Sequence, residues 1–235
     1  EELFDPQLEG HPVGVLSAND GCFISRNDQL KALGVPMAGL YFEYQRLLEK
    51  CDARVFSSNF ELYLDMSQRF YRTVLDFSPD VERYSVDEVF MEMGETKKSF
   101  SYLGHEVLDK VYKWTGLISR VGIGSNKTLS KIANNLAKKS KKADGVVDLY
   151  SHPEHIDVAL ERTKIGDVWG IGGAYAEDLI SLKVHNARDF KYYNHREIRQ
   201  LMTVKGARTH LEINGVRCFG LELTKPLRKA IGIQR

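Results

Sequence analysis

Three cysteines in 235 residues, Cys22, Cys51 and Cys218, are too few and too far apart for a disulfide framework or a CxxC metal site. That usage points to a reducing, cytoplasmic setting. No apolar run reaches the roughly 18 residues that cross a bilayer, so no membrane partner is expected. No signal-peptide pattern opens the chain, and no Met begins it. Net charge is nearly absent: 33 basic and 32 acidic side chains leave +1, which by itself makes no case for nucleic acid. Acidic residues are missing from one place in particular. Between Lys127 and Lys142 stand six lysines and no acid. Such a run suits phosphates, and it also suits a solvated helix. The seven histidines are scattered. The closest pair, His152 and His155, flanks Pro153 and reads as a surface loop, not a metal site.

What is present is globular composition, with 43% hydrophobic and 28% charged residues. Val13 to Leu16 reads as a strand, Asn19-Asp20-Gly21 as a turn, and Cys22 to Ile24 as a returning strand. Helices are expected from Arg26 to Leu33, stopped by Gly34 and Pro36, and from Leu40 to Lys50. Leu62, Met66, Phe70 and Val74 recur at helical spacing until Pro79. Val81 to Met93 reads as paired strands, Tyr102 to Trp114 as a helix, Leu117 to Ile123 as a strand. A helix over 127–139 and a strand over 146–149 follow. Helices interleaved with antiparallel strands describe an α+β fold with helices on one face of the sheet. From about residue 150 strands give way to short helices, so a boundary is expected at 149–152.

Three segments carry chemistry. In Tyr84-Ser85-Val86-Asp87-Glu88-Val89 two adjacent acids interrupt an apolar strand. A regular strand would turn one of them into the core uncompensated. A hairpin bend instead brings both to an exposed edge, where a hard cation such as Mg²⁺ suits them. An acidic hairpin tip without a ligand fits the same residues. Next, Val121-Gly122-Ile123-Gly124 feeds a helix capped by Ser125 or Asn126, with Leu129, Ile132, Ala133 and Leu136 as its apolar stripe. Lys127, Lys131 and Lys138 fall outside the stripe, which makes Lys127 and Lys131 candidates for DNA phosphates. The Gly-x-Gly is neither a Walker A loop nor a Rossmann fingerprint. Last, Gly170-Ile171-Gly172-Gly173, with Ala176 and Leu179 beyond, has helix-hairpin-helix spacing. Its backbone N–H groups are suited to grip a DNA phosphate without reading bases. An ordinary αα-hairpin is the alternative. A degenerate second copy falls at Val204-Lys205-Gly206-Ala207.

These motifs, in this order, resemble the Y-family translesion DNA polymerases, and the UmuC type most closely. Ser17-Ala18-Asn19-Asp20-Gly21-Cys22, Phe56-Ser57-Ser58-Asn59, Tyr84-Ser85-Val86-Asp87-Glu88, Lys127-Thr128-Leu129 and Val168-Trp169-Gly170-Ile171-Gly172 all share in the resemblance. It implies a right-hand architecture: 1–11 as a remnant of an N-terminal palm segment, 12–59 fingers, 60–149 an antiparallel-sheet palm, 150–228 a helical thumb, and 229–235 the start of a linker to an absent little finger. It implies addition of dNTPs to a primer 3′-hydroxyl on template DNA with two Mg²⁺ ions. Asp87 matches the ligand shared by both ions and Glu88 the carboxylate beside the primer-side ion. Ser25, Lys31 and Lys138 match triphosphate-binding positions. The resemblance also implies the processed UmuD dimer, the RecA filament and the sliding clamp as partners, in the bacterial SOS response, at the nucleoid.

Three departures accompany the match. The family's other catalytic Asp lies upstream of the position matching Glu1, and so does its aromatic gate against ribonucleotides. Asp28 stands where many members carry a phosphate-binding Tyr, as UmuC-type sequences generally do without it. A chain cut short at both ends is expected to show weak or no polymerase activity. A DNA-binding remnant without catalysis is the rival reading, and a helix-hairpin-helix nuclease or glycosylase is a third, which leaves Asp87 and Glu88 unexplained.

Overall fold

The computed structural model describes residues 1–224, so the expected linker at 229–235 and the last residues of the 150–228 segment lie outside the described residues. The chain divides into two compact units, Glu1–Gln68 and Arg69–Arg235.

In the first unit β1 (Val13–Leu16) is buried along its whole length and lies central. β2 (Phe23–Arg26) pairs with it antiparallel, and β3 (Arg54–Phe56) pairs with it in parallel. The Asn19 turn is held by its own side chain, which accepts from Ser17 Oγ at 2.7 Å. Asn27 does two jobs. Its Oδ1 caps α1 (Asp28–Ala32) by accepting from the Leu30 N–H, and it also accepts from the Val13 N–H, which ties the helix start to β1. With α2 (Tyr41–Lys50), these elements bury Leu16, Phe23, Leu30, Val35 and Leu48. α3 (Phe60–Val74) carries residues of both units.

The second unit opens with an antiparallel pair, β4 (Val81–Arg83) and β5 (Val89–Met91). α4 (Phe100–Thr115) is capped by Ser99 and ended by Gly116. Its Val107 and Val111 pack with Val74 and Val81. Then β6 (Val121–Ile123), α5 (Lys127–Lys139) and β7 (Val146–Asp148) form one crossover, and β6 and β7 are parallel. This departs from the antiparallel pairing expected of the sheet. Parallel neighbours need a crossover connection longer than a hairpin turn, and α5 supplies it here.

α5 approaches β6 closely because Gly122 has no side chain. A Cβ there would stand 2.1 Å from the Asn134 backbone nitrogen and 2.3 Å from the Ser130 carbonyl oxygen. The N-terminus of α5 is capped by Asn126, whose Oδ1 accepts from the Leu129 N–H at 3.0 Å. Leu129, Ile132 and Ala133 then enter one core with the helices that follow. Those are α6 (Ile156–Glu161), α7 (Gly173–Ser181), α8 (Ala187–Tyr192) and α9 (His195–Ile213). α9 breaks at Thr203, where φ is 64°. Val204 to Ala207, the suspected second hairpin, lie on the helix just after that break. Among the described residues, no helix is long and apolar enough to cross a membrane.

One buried carboxylate ties this unit together. Glu212 Oε2 accepts from the Thr128 N–H at 2.9 Å and the Thr128 hydroxyl at 2.7 Å. Its Oε1 accepts from the N–H groups of Cys218 and Phe219 at 3.0 and 2.9 Å. A buried charge is tolerable when donors surround it in this way. Arg217 adds a two-pronged pair with Glu92, at 2.6 and 2.7 Å, which holds the Glu92 carboxyl below its ordinary range and the guanidinium above its own.

Candidate active site and nucleic-acid interface

The acidic pair sits at a bend. Residues 84–88 connect β4 to β5, and the N–H groups of Tyr84 and Ser85 both donate to the Glu88 carbonyl, at 3.2 and 3.1 Å. Asp87 is exposed, and its Oδ1 accepts from Ser85 Oγ at 2.6 Å. Glu88 is half-buried, and the Lys131 ammonium lies 2.7 and 2.8 Å from its two oxygens. The cation beside the bend is therefore a lysine of α5.

The other candidates separate into those available to a ligand and those already engaged. Lys127 is buried, not on the exposed face expected of a DNA contact. Its ammonium pairs with the buried Glu82 of β4 and lies 5.0 Å from the Phe90 ring centroid. The Glu222 N–H donates to the same Glu82 oxygen at 2.7 Å. Lys131, the second expected DNA contact, is 19% exposed and is committed to Glu88. Lys138 is exposed near the end of α5. Ser25 is exposed on β2, in an open groove that Glu1 and Glu2 also line. Lys31 pairs with Asp28 at 2.8 Å, and that bond holds the exposed Asp28 carboxyl below its ordinary range. The Asp28 charge thus falls on Lys31.

The glycine hairpin also divides. Gly170 turns the chain at φ +88°, a conformation that favours glycine, and a Cβ there would meet Thr209 Oγ1 at 3.0 Å. Ile171 is buried and its N–H donates to the Val168 carbonyl, so it anchors the hairpin to the core and is not placed to touch DNA. Gly172 and Gly173 are exposed at the start of α7, with open space beside both and no side-chain cap on the helix. Their N–H groups, with that of Ala174, begin the helix and point out along its axis.

Sequence reasoning passed over Glu82 and Glu212, and it named Tyr84 and Trp169 within their motifs without giving either a role; the structure makes all four central. Trp169 Nε1 donates to the Tyr84 hydroxyl at 2.9 Å. Tyr84, Phe90, Trp169 and Phe219 pack as a chain of tilted and edge-on rings 5.2 to 5.9 Å apart. One signal was available. Lys127 and Lys131 are four apart, hence on one helix face, and Glu82 and Glu88 are two of the three acids in the neighbouring hairpin.

Asp87 and Glu88 offer only oxygen donors. Asp87 is exposed with one oxygen held by a hydroxyl, and each Glu88 oxygen keeps a lone pair beyond its bond to Lys131. This donor set fits a hard divalent cation. Elsewhere among the described residues, donor atoms of His152, Glu154 and His155 lie within 4.8 Å of one another on an exposed 3-10 turn. The expected surface loop thus holds a loose cluster, with His152 Nδ1 3.1 Å from Glu154 Oε1.

The impB/mucB/samB (IMS) family pattern matches residues 1–135. The chain belongs to that family. Among curated relatives, Protein ImpB of Salmonella typhimurium is 37% identical over 238 residues, covering 100% of this chain and 56% of ImpB. Protein UmuC of Salmonella typhimurium (strain LT2) matches with the same identity and coverage. The chain thus spans a little over half the length of these relatives. Among solved structures, the insertion ternary complex of Dbh DNA polymerase superposes with a TM-score of 0.75 at 22% identity, over 91% of this chain and 62% of that one. The fold is therefore that of the Y-family polymerases.

Proposed function

We propose that this chain is the core of a template-directed DNA polymerase of the translesion type. The observation that carries the reading is the bend at 84–88, which sets two adjacent acids against the lysine helix α5 through the Lys131–Glu88 pair. Family membership supplies the reaction class, and the bend supplies a place for it.

In this reading Asp87 and Glu88 would hold Mg²⁺. The metal, when bound, makes the primer 3′-hydroxyl a better nucleophile and offsets charge on the triphosphate. The protein's own residues bind and orient. Lys138, exposed on α5, is assigned to the triphosphate by its match to the family position. Ser25 and Lys31 supply further donors to it, and Lys31 exchanges Asp28 for phosphate when it does so. Gly172 and Gly173 present backbone N–H groups and the positive end of α7 to a DNA phosphate, which binds without reading sequence. Affinity for primer-template DNA should therefore fall steeply with salt. The division into fingers at 12–59, palm at 60–149 and thumb at 150–228 belongs to the same proposal. So do the processed UmuD dimer, the RecA filament and the sliding clamp as partners, and the bacterial cytoplasm as location.

The test is primer extension by the 235-residue chain beside a chain carrying the family's acidic segment at its N-terminus. Mg²⁺-dependent incorporation by the extended chain, abolished by Asp87→Ala, is the expected result. Salt-sensitive DNA binding with no incorporation by either chain would leave the non-catalytic reading in its place.

A further inference from the structure

The acidic bend and the glycine hairpin are joined by an unbroken chain of side chains that no part of the polymerase reading requires. It begins at Glu88, whose two oxygens are taken by Lys131. The same ammonium lies 5.4 Å from the centroid of the Tyr84 ring, in range of a cation–π contact. The Tyr84 hydroxyl accepts the indole N–H of Trp169. Trp169 is the residue before Gly170, where the hairpin turns. Tyr84 also reaches Glu88 through the backbone, since its N–H donates to the Glu88 carbonyl. The Phe90 and Trp169 rings both pack edge-on against the Tyr84 ring, which is otherwise exposed, so its hydroxyl is directed by these two contacts and the indole N–H.

We propose that Lys131, Tyr84 and Trp169 are positioning residues for Glu88. They fix the direction in which its oxygens face, and they make the acidic bend and the Gly170–Gly173 hairpin one mechanical piece. The inference rests on the metal-binding reading of Asp87 and Glu88 given above. It also reassigns Lys131. An ammonium that already spends two of its three donors on both oxygens of one carboxylate, in a half-buried place, is poorly placed to neutralise a DNA phosphate.

Lys131 acts on a metal in two opposing ways: its charge repels the ion, and its bonds orient the ligand. Charge-neutral changes further along the chain isolate the second effect. Tyr84→Phe removes one hydroxyl and keeps the ring. Trp169→Phe removes the indole donor. Lys131→Arg keeps both charge and two-pronged geometry.

The decisive measurement is the affinity of the 235-residue chain for Mn²⁺ without nucleic acid, read from the paramagnetic resonance of the free ion. Outer residues that orient metal ligands commonly change affinity by about tenfold or more. We expect Tyr84→Phe and Trp169→Phe each to weaken Mn²⁺ binding by roughly that order, and Lys131→Arg to stay near the parent. Parent-like affinity in both aromatic variants would overturn the proposal.

Failure of the metal reading itself has a different signature. The parent would then show no Mn²⁺ binding that Asp87→Asn abolishes. The side-chain chain is still read in that case by Trp169 emission. Trp114, the other of the two tryptophans, is exposed and is replaced by Phe. In that background Glu88→Gln and Lys131→Met should each shift the Trp169 emission maximum. Unshifted emission in both would overturn the positioning role on its own terms.

Discussion

The Lys127 ammonium is sealed against the Glu82 carboxylate, one helical turn before Lys131 meets Glu88 on the same face of α5. Two acids of one hairpin are thus answered by two lysines of one helix, the first pair buried and the second half-buried. Lys127→Met should leave Glu82 charged in the core and cost about 3–5 kcal/mol of stability. Urea unfolding measures that loss. DNA binding by whatever remains folded should keep the parent's salt dependence, because a lysine on phosphate would instead lower the slope by about one ion.

Glu212→Ala strips the shared acceptor from Thr128, Cys218 and Phe219. Four donors lose their partner, two of them on the fully buried Thr128 and two on the half-buried Cys218 and Phe219. The expected cost is at least about 3 kcal/mol, seen as a lower thermal midpoint. Glu212→Gln should fall between the two, since an amide keeps one acceptor oxygen and places a donor where the other acceptor stood.

Gly172 offers a way to separate folding from DNA binding. It is the N-cap of α7, at φ −82° with open space around it. Gly172→Asp should leave stability unchanged or raise it by a few tenths of a kcal/mol, as a capping side chain does. The same carboxylate would face an incoming phosphate. Affinity for primer-template DNA should fall by about tenfold, on the order of one lost charge contact made repulsive. Unchanged DNA affinity with the cap in place would remove the hairpin from the interface.

His210 predicts a pH dependence. Burial is the main cause that holds its pKa below the ordinary 6.5, and the neighbouring His195 adds to it. Its Nδ1 lies 3.1 Å from that of His195, so one ring must accept while the other donates. A histidine kept neutral in the folded state binds fewer protons there than when unfolded. Stability is therefore fully present above about pH 6.5 and is lost as the pH falls through that value toward the folded pKa. The urea midpoint should drop between pH 7.5 and 5.5, and His210→Gln should flatten the drop.

The sequence made some of this legible and hid the rest for identifiable reasons. α5 spans 127–139 as expected, because an Asn cap and a 3.6-residue stripe are local signals. The bend at 84–88 was legible for the opposite reason: two adjacent acids are intolerable in a straight buried strand. β3 (Arg54–Phe56) went unread. Three residues carry no periodicity, and its pairing with β1 crosses the whole segment between them. The expected strand from Leu117 shrank to Val121–Ile123, since Leu117 instead packs beside the α4 core. The lysines misled because a stripe analysis counts every lysine outside the stripe as solvated. A long stem can carry its charge inward to a carboxylate that sequence alone does not place.

Because Glu212 gathers donors from both ends of a long stretch of chain, residues 218 and 219 cannot peel away without stripping its buried Oε1 of both donors. Their amide protons should exchange with solvent only when the surrounding helices open as well, at a rate set by the whole assembly.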